Sequence, residues 1–129
     1  MHVPGSGDVL LPHRPQSASA ARALLRQELD GAAVDPELVA DVVLVLSELI
    51  NNAVLHARPL ELGDIRVGWQ IAPKAIRLSI TDGGGQSLPA PRRPGVVTGR
   101  GLQIVAQMAR EWGVERSTDA STVWAVVAR

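Results

Sequence analysis

Cysteine is absent from the 129 residues, and so are phenylalanine and tyrosine. Without cysteine there is no disulfide and no thiolate metal site, which fits a reducing cytoplasm. The only aromatic residues are three tryptophans. No rings interleave with basic side chains, which argues against single-strand nucleic-acid binding. Net charge is missing too. Thirteen basic and thirteen acidic side chains sum to zero, leaving no basic stripe to draw in nucleic acid or a membrane surface. Lys74 is the only lysine; the bias toward arginine, alanine and valine reads as the codon composition of a high-GC bacterial genome. The longest apolar run, Asp41 to Ile50, is interrupted by Ser47 and Glu48 and falls short of a bilayer span. Met1 to Gly5 has neither the basic start nor the apolar stretch of a signal peptide. His2, His13 and His56 do not cluster as zinc ligands would, and His2 and His13 read as exposed and inert.

What remains is one domain's worth of chain, 46% hydrophobic and able to build a single core. Residues 1–7 read as a loose tail and 8–129 as the domain. Asp8 to Leu11 suits a short edge strand ended by Pro12. Ser17 is a candidate N-cap for a helix to about Asp30, with Gly31 as its stop. Asp35-Pro36 opens a second helix that runs to about Ala57. Asp64 to Ala72 and Ala75 to Thr81 alternate apolar and polar residues around a Pro73-Lys74 turn, as a hairpin does. Residues 83–98 are too rich in glycine and proline for regular structure. A helix over about Gly101–Arg110 and strands near Trp112–Glu115 and Thr122–Val127 complete the chain. The order predicts an α+β two-layer sandwich, with helices on one face of a mixed, mostly antiparallel sheet.

Three stretches carry candidate chemistry. In the second helix Leu38, Val39, Val42, Val45, Leu46, Leu49, Ile50 and Ala53 share an apolar face. Glu48, Asn52 and His56, spaced by four, form a polar stripe along its edge. Such a stripe is either an ordinary helix boundary or the wall of a pocket for a cation and a polar ligand. Thr81-Asp82-Gly83-Gly84-Gly85 sets a carboxylate at a strand end, followed by glycines that let backbone approach a ligand. An Asp-Gly turn is the plain alternative. Thr98-Gly99-Arg100-Gly101-Leu102 opens an amphipathic helix, where backbone amides and the helix dipole favour phosphate. The strand of a dinucleotide fingerprint does not precede it, and no P-loop Gly-Lys-Ser/Thr occurs. Trp69, Trp112 and Trp124 lie in strand-like runs and read as packing residues.

In this order, Glu48-Leu49-Ile50-Asn51-Asn52-Ala53, Asp82-Gly83-Gly84 and Gly99-Arg100-Gly101-Leu102 resemble the nucleotide-binding boxes of the GHKL superfamily, whose fold is the Bergerat fold. Ser47-Glu48-Leu49, Asn52-Ala53-Val54 and His56-Ala57, together with Ile104-Val105 after the last box, look most like the short anti-sigma-factor serine/threonine kinases, the RsbW-like family. The resemblance spans residues 8 to 128. It implies Asn52 as the Mg²⁺ ligand, and Glu48 as general base or as the group that orients a Mg-bound water. It also implies Asp82 and Gly84 at adenine, Thr98, Gly99, Gly101 and Leu102 on the phosphate side, and Thr122 completing the adenine site. Arg100 either reaches a phosphate or points to solvent. Mg²⁺ keeps several waters and needs few protein ligands, and phosphoryl transfer asks mainly for positioning and charge neutralisation.

Two positions depart from the family pattern. Gln86 stands where the acid box usually has its second glycine, and Ala120-Ser121 where a glycine usually precedes the last strand. Pro89, Pro91 and Pro94 stiffen a short lid from Gln86 to Thr98, and Arg92 and Arg93 read as solvated lid charges. The resemblance implies a cytoplasmic kinase that uses Mg-ATP to phosphorylate a STAS-type anti-anti-sigma partner, sequesters a sigma factor, and forms a homodimer as its relatives often do. The alternative is an ATP-binding interaction module without phosphotransfer. A fragment of a sensor histidine kinase is disfavoured, because no helix with a phosphoacceptor histidine precedes the domain.

Overall fold

The computed structural model describes residues 5–85 and 100–128. Its elements run β1 (Ser6–Pro12), α1 (Ser17–Gly31), α2 (Pro36–His56), β2 (Asp64–Ala72), β3 (Ala75–Asp82), α3 (Arg100–Met108), β4 (Glu111–Arg116) and β5 (Ser121–Ala128). The order is the expected one; β1 starts two residues early, inside the stretch read as a tail.

The five strands form one sheet in the order β1-β2-β3-β5-β4. Every pairing is antiparallel, in keeping with the mixed, mostly antiparallel sheet expected from sequence. The helical pair explains the first step: α1 leads the chain away from the end of β1 and α2 returns it, so β2 must run back alongside β1. Ala72 pairs with Ala75, which leaves Pro73-Lys74 as the two-residue turn anticipated from sequence. This topology brings the ends of β1, α2, β3 and β4 and the start of β5 to one end of the sandwich.

The core lies between the helices and one sheet face. Buried positions alternate along β2 (Ile65, Val67, Trp69), β3 (Ile76, Leu78, Ile80) and β5 (Val123, Ala125, Val127), so these residues share the helix-facing side. On α1, Ala18, Ala21, Leu25 and Leu29 are buried at helical spacing. On α2, Val43 joins the buried face and Val39 is only half-buried. By length and composition α2 is apolar enough to cross a bilayer, with mean hydropathy 1.8. Ser47 and Glu48 do not interrupt it, because both sit at the margin of its apolar face. That face is covered by the sheet and the other two helices, as in the core helix of a globular domain.

The two long helices start differently. Asp35 caps α2 as expected, accepting from the Glu37 amide at 3.0 Å with Pro36 in the first turn. Ser17 does not cap α1. It is the first helical residue, and its Oγ donates to the Pro12 carbonyl, while the capping position falls to Gln16 without a side-chain bond.

Each edge strand carries a glycine under a tryptophan of its neighbour. Gly7 of β1 pairs with Trp69 on the helix side, and a Cβ on Gly7 would lie 2.8 Å from the indole. Gly113 of β4 pairs with Trp124, whose ring would lie 2.9 Å from a Cβ there. Trp124 occupies the open face, with the Arg77 guanidinium 5.2 Å from its ring centroid. Both tryptophans are packing residues, as expected.

Candidate functional site

Asp82 ends β3 on the helix-facing side and is 1% exposed. Its Oδ1 accepts from the Gly84 amide at 2.8 Å, while Oδ2 is buried with no hydrogen-bond partner among the described residues. A buried carboxylate oxygen left unpaired costs on the order of 1–3 kcal/mol or more. Burial pushes the Asp82 carboxyl above the ordinary carboxylate range; the Gly84 amide, and then the charges of His13 and Arg116, pull it part of the way back.

The glycines after Asp82 fit a confined backbone. Gly84 has φ +81, the left-handed region that a side chain disfavours. A Cβ on Gly83 would sit 2.0 Å from the Pro59 carbonyl oxygen, so only glycine fits. Two backbone bonds hold this loop against the segment that leaves α2: the Arg58 amide donates to Gly84 O, and the Gly83 amide to Arg58 O, both at 2.8 Å. The acid loop is thereby fastened to the end of the helix that carries Glu48 and Asn52. Those two side chains are half-buried and lie about 6 Å apart along the axis. Beside Glu48, Ser47 Oγ donates to Val43 O at 2.9 Å and accepts from Arg22 of α1 at 3.1 Å. His56, the last member of the stripe, is exposed.

The strand register corrects one expectation. Asp82 pairs with Ser121 and Thr81 with Thr122. Directly opposed residues share a face, so Thr122 points to the open side of the sheet, where its Oγ1 lies 2.8 Å from that of Thr81. It does not join Asp82. The residue that does is Ser121, 2% exposed, with an Oγ that also lacks a partner among the described residues. Two-residue periodicity holds the signal for this, since a residue one place along β5 must face the other way.

His13 is a second correction. It is half-buried, and its Nε2 lies 3.1 Å from Ala53 O and 2.9 Å from Ala57 O at the end of α2. Nothing in local sequence marks this contact, which joins residues forty positions apart. His2 lies outside the described residues.

Of the phosphate-side expectations, Thr98 and Gly99 lie outside the described residues, as do Gln86, the proline-rich lid, Arg92 and Arg93. Arg100 begins α3 with Gly101 behind it, and Leu102 is 2% exposed. Leu102 therefore acts as a packing residue.

A cavity of about 230 Å³ opens between Arg58, Gly83–Gly85 and the β4–β5 turn from Arg116 to Ser121. A wider hollow of about 760 Å³ lies across β1, β2 and β3 around Asp8, Gly68 and Ser79. It takes in none of the box residues. The smaller cavity has the chemistry. Ser121 lines it and Asp82 directly precedes its glycines; a carboxylate oxygen can accept from an exocyclic amine, and a serine hydroxyl can donate to a ring nitrogen. Among the described residues no group of three or more His, Cys, Asp or Glu side chains could hold a metal ion.

The profile of the histidine kinase-like ATPase domain matches residues 11–127. The chain belongs to that family. A histidine kinase-like ATPase domain binds nucleotide, and the orphaned Asp82 and Ser121 atoms fit the base of one. Among solved structures, the RsbU and RsbW domains of Rv1364c from Mycobacterium tuberculosis share the fold, with a TM-score of 0.74 at 22% identity. The match covers 95% of this chain and 32% of that one, so this histidine kinase-like ATPase domain spans about a third of that chain's length. Comparison with curated proteins gives no match.

Proposed function

We propose that this domain is a Mg-ATP-dependent protein serine/threonine kinase of the anti-sigma type, acting in the cytoplasm. It phosphorylates a STAS-type anti-anti-sigma partner and sequesters a sigma factor. The observation that carries the nucleotide part is the Asp82–Ser121 pair at a strand end, where Asp82 Oδ2 and Ser121 Oγ are both buried and without a partner among the described residues. Support for the kinase part comes from Glu48 and Asn52, on one face of the helix fastened to that loop, and from the RsbW domain in the similar structure.

In this reading Asp82 accepts from the adenine amine and Ser121 completes the base site. Asn52 holds Mg²⁺ through its amide oxygen, and the bound ion supplies charge neutralisation at the phosphates. Glu48 takes the proton from a serine or threonine hydroxyl of the partner, or orients a water on the ion. The freed oxygen forms its bond to the γ-phosphorus as the bond to the ADP oxygen breaks. The amides at the start of α3, near Gly99 and Gly101, serve the phosphate side.

Calorimetric titration with ATP, with and without Mg²⁺, tests the binding. The wild type should bind with Mg²⁺-dependent affinity, and Asn52→Ala should lose that dependence. Absence of binding at millimolar nucleotide would reject the reading. A second experiment supplies γ-labelled ATP and an anti-anti-sigma protein. Label on the partner, lost in Glu48→Gln, supports the kinase; nucleotide binding and sequestration without label would make the domain an interaction module instead.

A further inference from the structure

We infer that His13 is a positioning residue for the nucleotide site, pinning the end of α2 at the point where the chain turns to hold the Asp82 loop. The inference rests on the nucleotide reading of that loop.

The last carbonyls of a helix have no partner within it. In α2 the Ala53 carbonyl is met by the Ala57 amide, but no later helical residue reaches the Ala57 carbonyl. His13 Nε2 stands within hydrogen-bond distance of both. Both partners are acceptors, so Nε2 carries the proton and shares it between them. Ala57 is also where the backbone leaves the helix, with φ −119 and ψ 163. The next residue, Arg58, makes the two bonds to Gly83 and Gly84. The direction in which Arg58 departs therefore follows from how Ala57 is held.

His13 is itself anchored, because its amide donates to Gly63 O at 3.1 Å and Ser17 Oγ caps the preceding Pro12 carbonyl. A linked path thus runs from the end of β1 through His13, Ala57, Arg58 and Gly84 to Asp82. The His13 charge also favours the ionised form of Asp82, so ring and loop are electrostatic neighbours. Without the ring, the last turn of α2 loses a side-chain donor shared by two of its carbonyls, and the acid loop loses a fixed backing.

The test compares His13→Leu, which keeps bulk without a donor, with His13→Gln, whose amide offers two N–H groups. Hydrogen exchange at the Arg58 and Gly83 amides should speed up about tenfold in His13→Leu, the weight of one lost hydrogen bond. Amides of the β2–β3 ladder should keep wild-type protection. Affinity for Mg-ATP should fall about five- to tenfold by the same measure, and His13→Gln should restore both quantities. Unchanged exchange at Arg58 and Gly83 in folded His13→Leu overturns the proposal, as does a His13→Gln that behaves like leucine. In the wild type, ring nitrogen NMR shifts should show Nε2 as the protonated nitrogen, and the opposite tautomer also overturns it. A wild type that binds no ATP while the exchange result holds brings down the nucleotide reading and leaves His13's hold on the loop standing.

Discussion

Asp82–Ser121 and Thr81–Thr122 are neighbouring cross-strand pairs between β3 and β5, one residue apart and on opposite faces of the sheet. The threonines face away from the helices and bond to each other at 2.8 Å. The aspartate and serine face the helices, more deeply buried, and each keeps an oxygen with no partner among the described residues. Polar groups out of water are normally paired, because desolvation without a compensating bond is expensive. The satisfied pair is sheet structure. The unsatisfied pair is the one on which the proposed base site rests, and a bound ligand would offset its cost.

The largest effect that would break this contrast is at Asp82. In the proposed site, replacing it with asparagine puts a donor where the adenine amine would also donate. ATP affinity should drop about a hundredfold, the scale of losing a charge-assisted hydrogen bond and leaving donors opposed. Wild-type affinity in a titration of Asp82→Asn would end the claim that this carboxylate reads the base. Ser121→Ala should weaken ATP by roughly three- to tenfold, about one hydrogen bond. It should not lower the melting temperature of the free protein, since the hydroxyl it removes is unpaired. Thr122→Val sharpens the comparison from the other side. It strands the Thr81 hydroxyl and should cost about 1 kcal/mol in chemical denaturation while leaving ATP affinity within twofold. A Thr122→Val protein that folds as stably as wild type but binds ATP poorly would reverse the two assignments.

The smallest effect is in pH. The folded Asp82 carboxyl holds its proton more tightly than the unfolded one, so folding is penalised where the group is ionised. That penalty is present at neutral pH. It is relieved as pH falls through the raised folded value, and the gain is complete below the unfolded value near 3.9. Denaturation curves for wild type and Asp82→Asn should therefore converge on acidification, with the variant the more stable at neutral pH. ATP affinity of the wild type should fall over the same interval, because the protonated acid loses its free acceptor.

Most of the architecture was legible because it is written in local periodicities. The alternation Ile65, Val67, Trp69 and Ile76, Leu78, Ile80 set the hairpin faces, and Asp35-Pro36 set the start of α2. The acid loop and the α2 stripe were legible as residue types at the right spacing. Facing in β5 was not, because the threonine fitted the family pattern while only the pairing with β3 tells which side of the sheet it takes. Ser17 looked like a cap because its type suits one, yet its hydroxyl is engaged by the Pro12 carbonyl. His13 was illegible for a different reason: its partners are backbone carbonyls, which every residue has, so no side-chain pattern announces the contact.

The two tryptophans that cover the edge glycines have an optical consequence. With no tyrosine in the chain, near-ultraviolet emission belongs to tryptophan alone. Trp69 is sealed on the helix side at 7% exposure, while Trp124 lies on the open face beneath Arg77. A soluble quencher or a docking protein that lands on the open face should dim the second ring and spare the first. Trp124→Leu would leave only Trp69 and the half-buried Trp112, both on the helix side, to emit, and the protein carries a built-in reporter of which of its two sides is being touched.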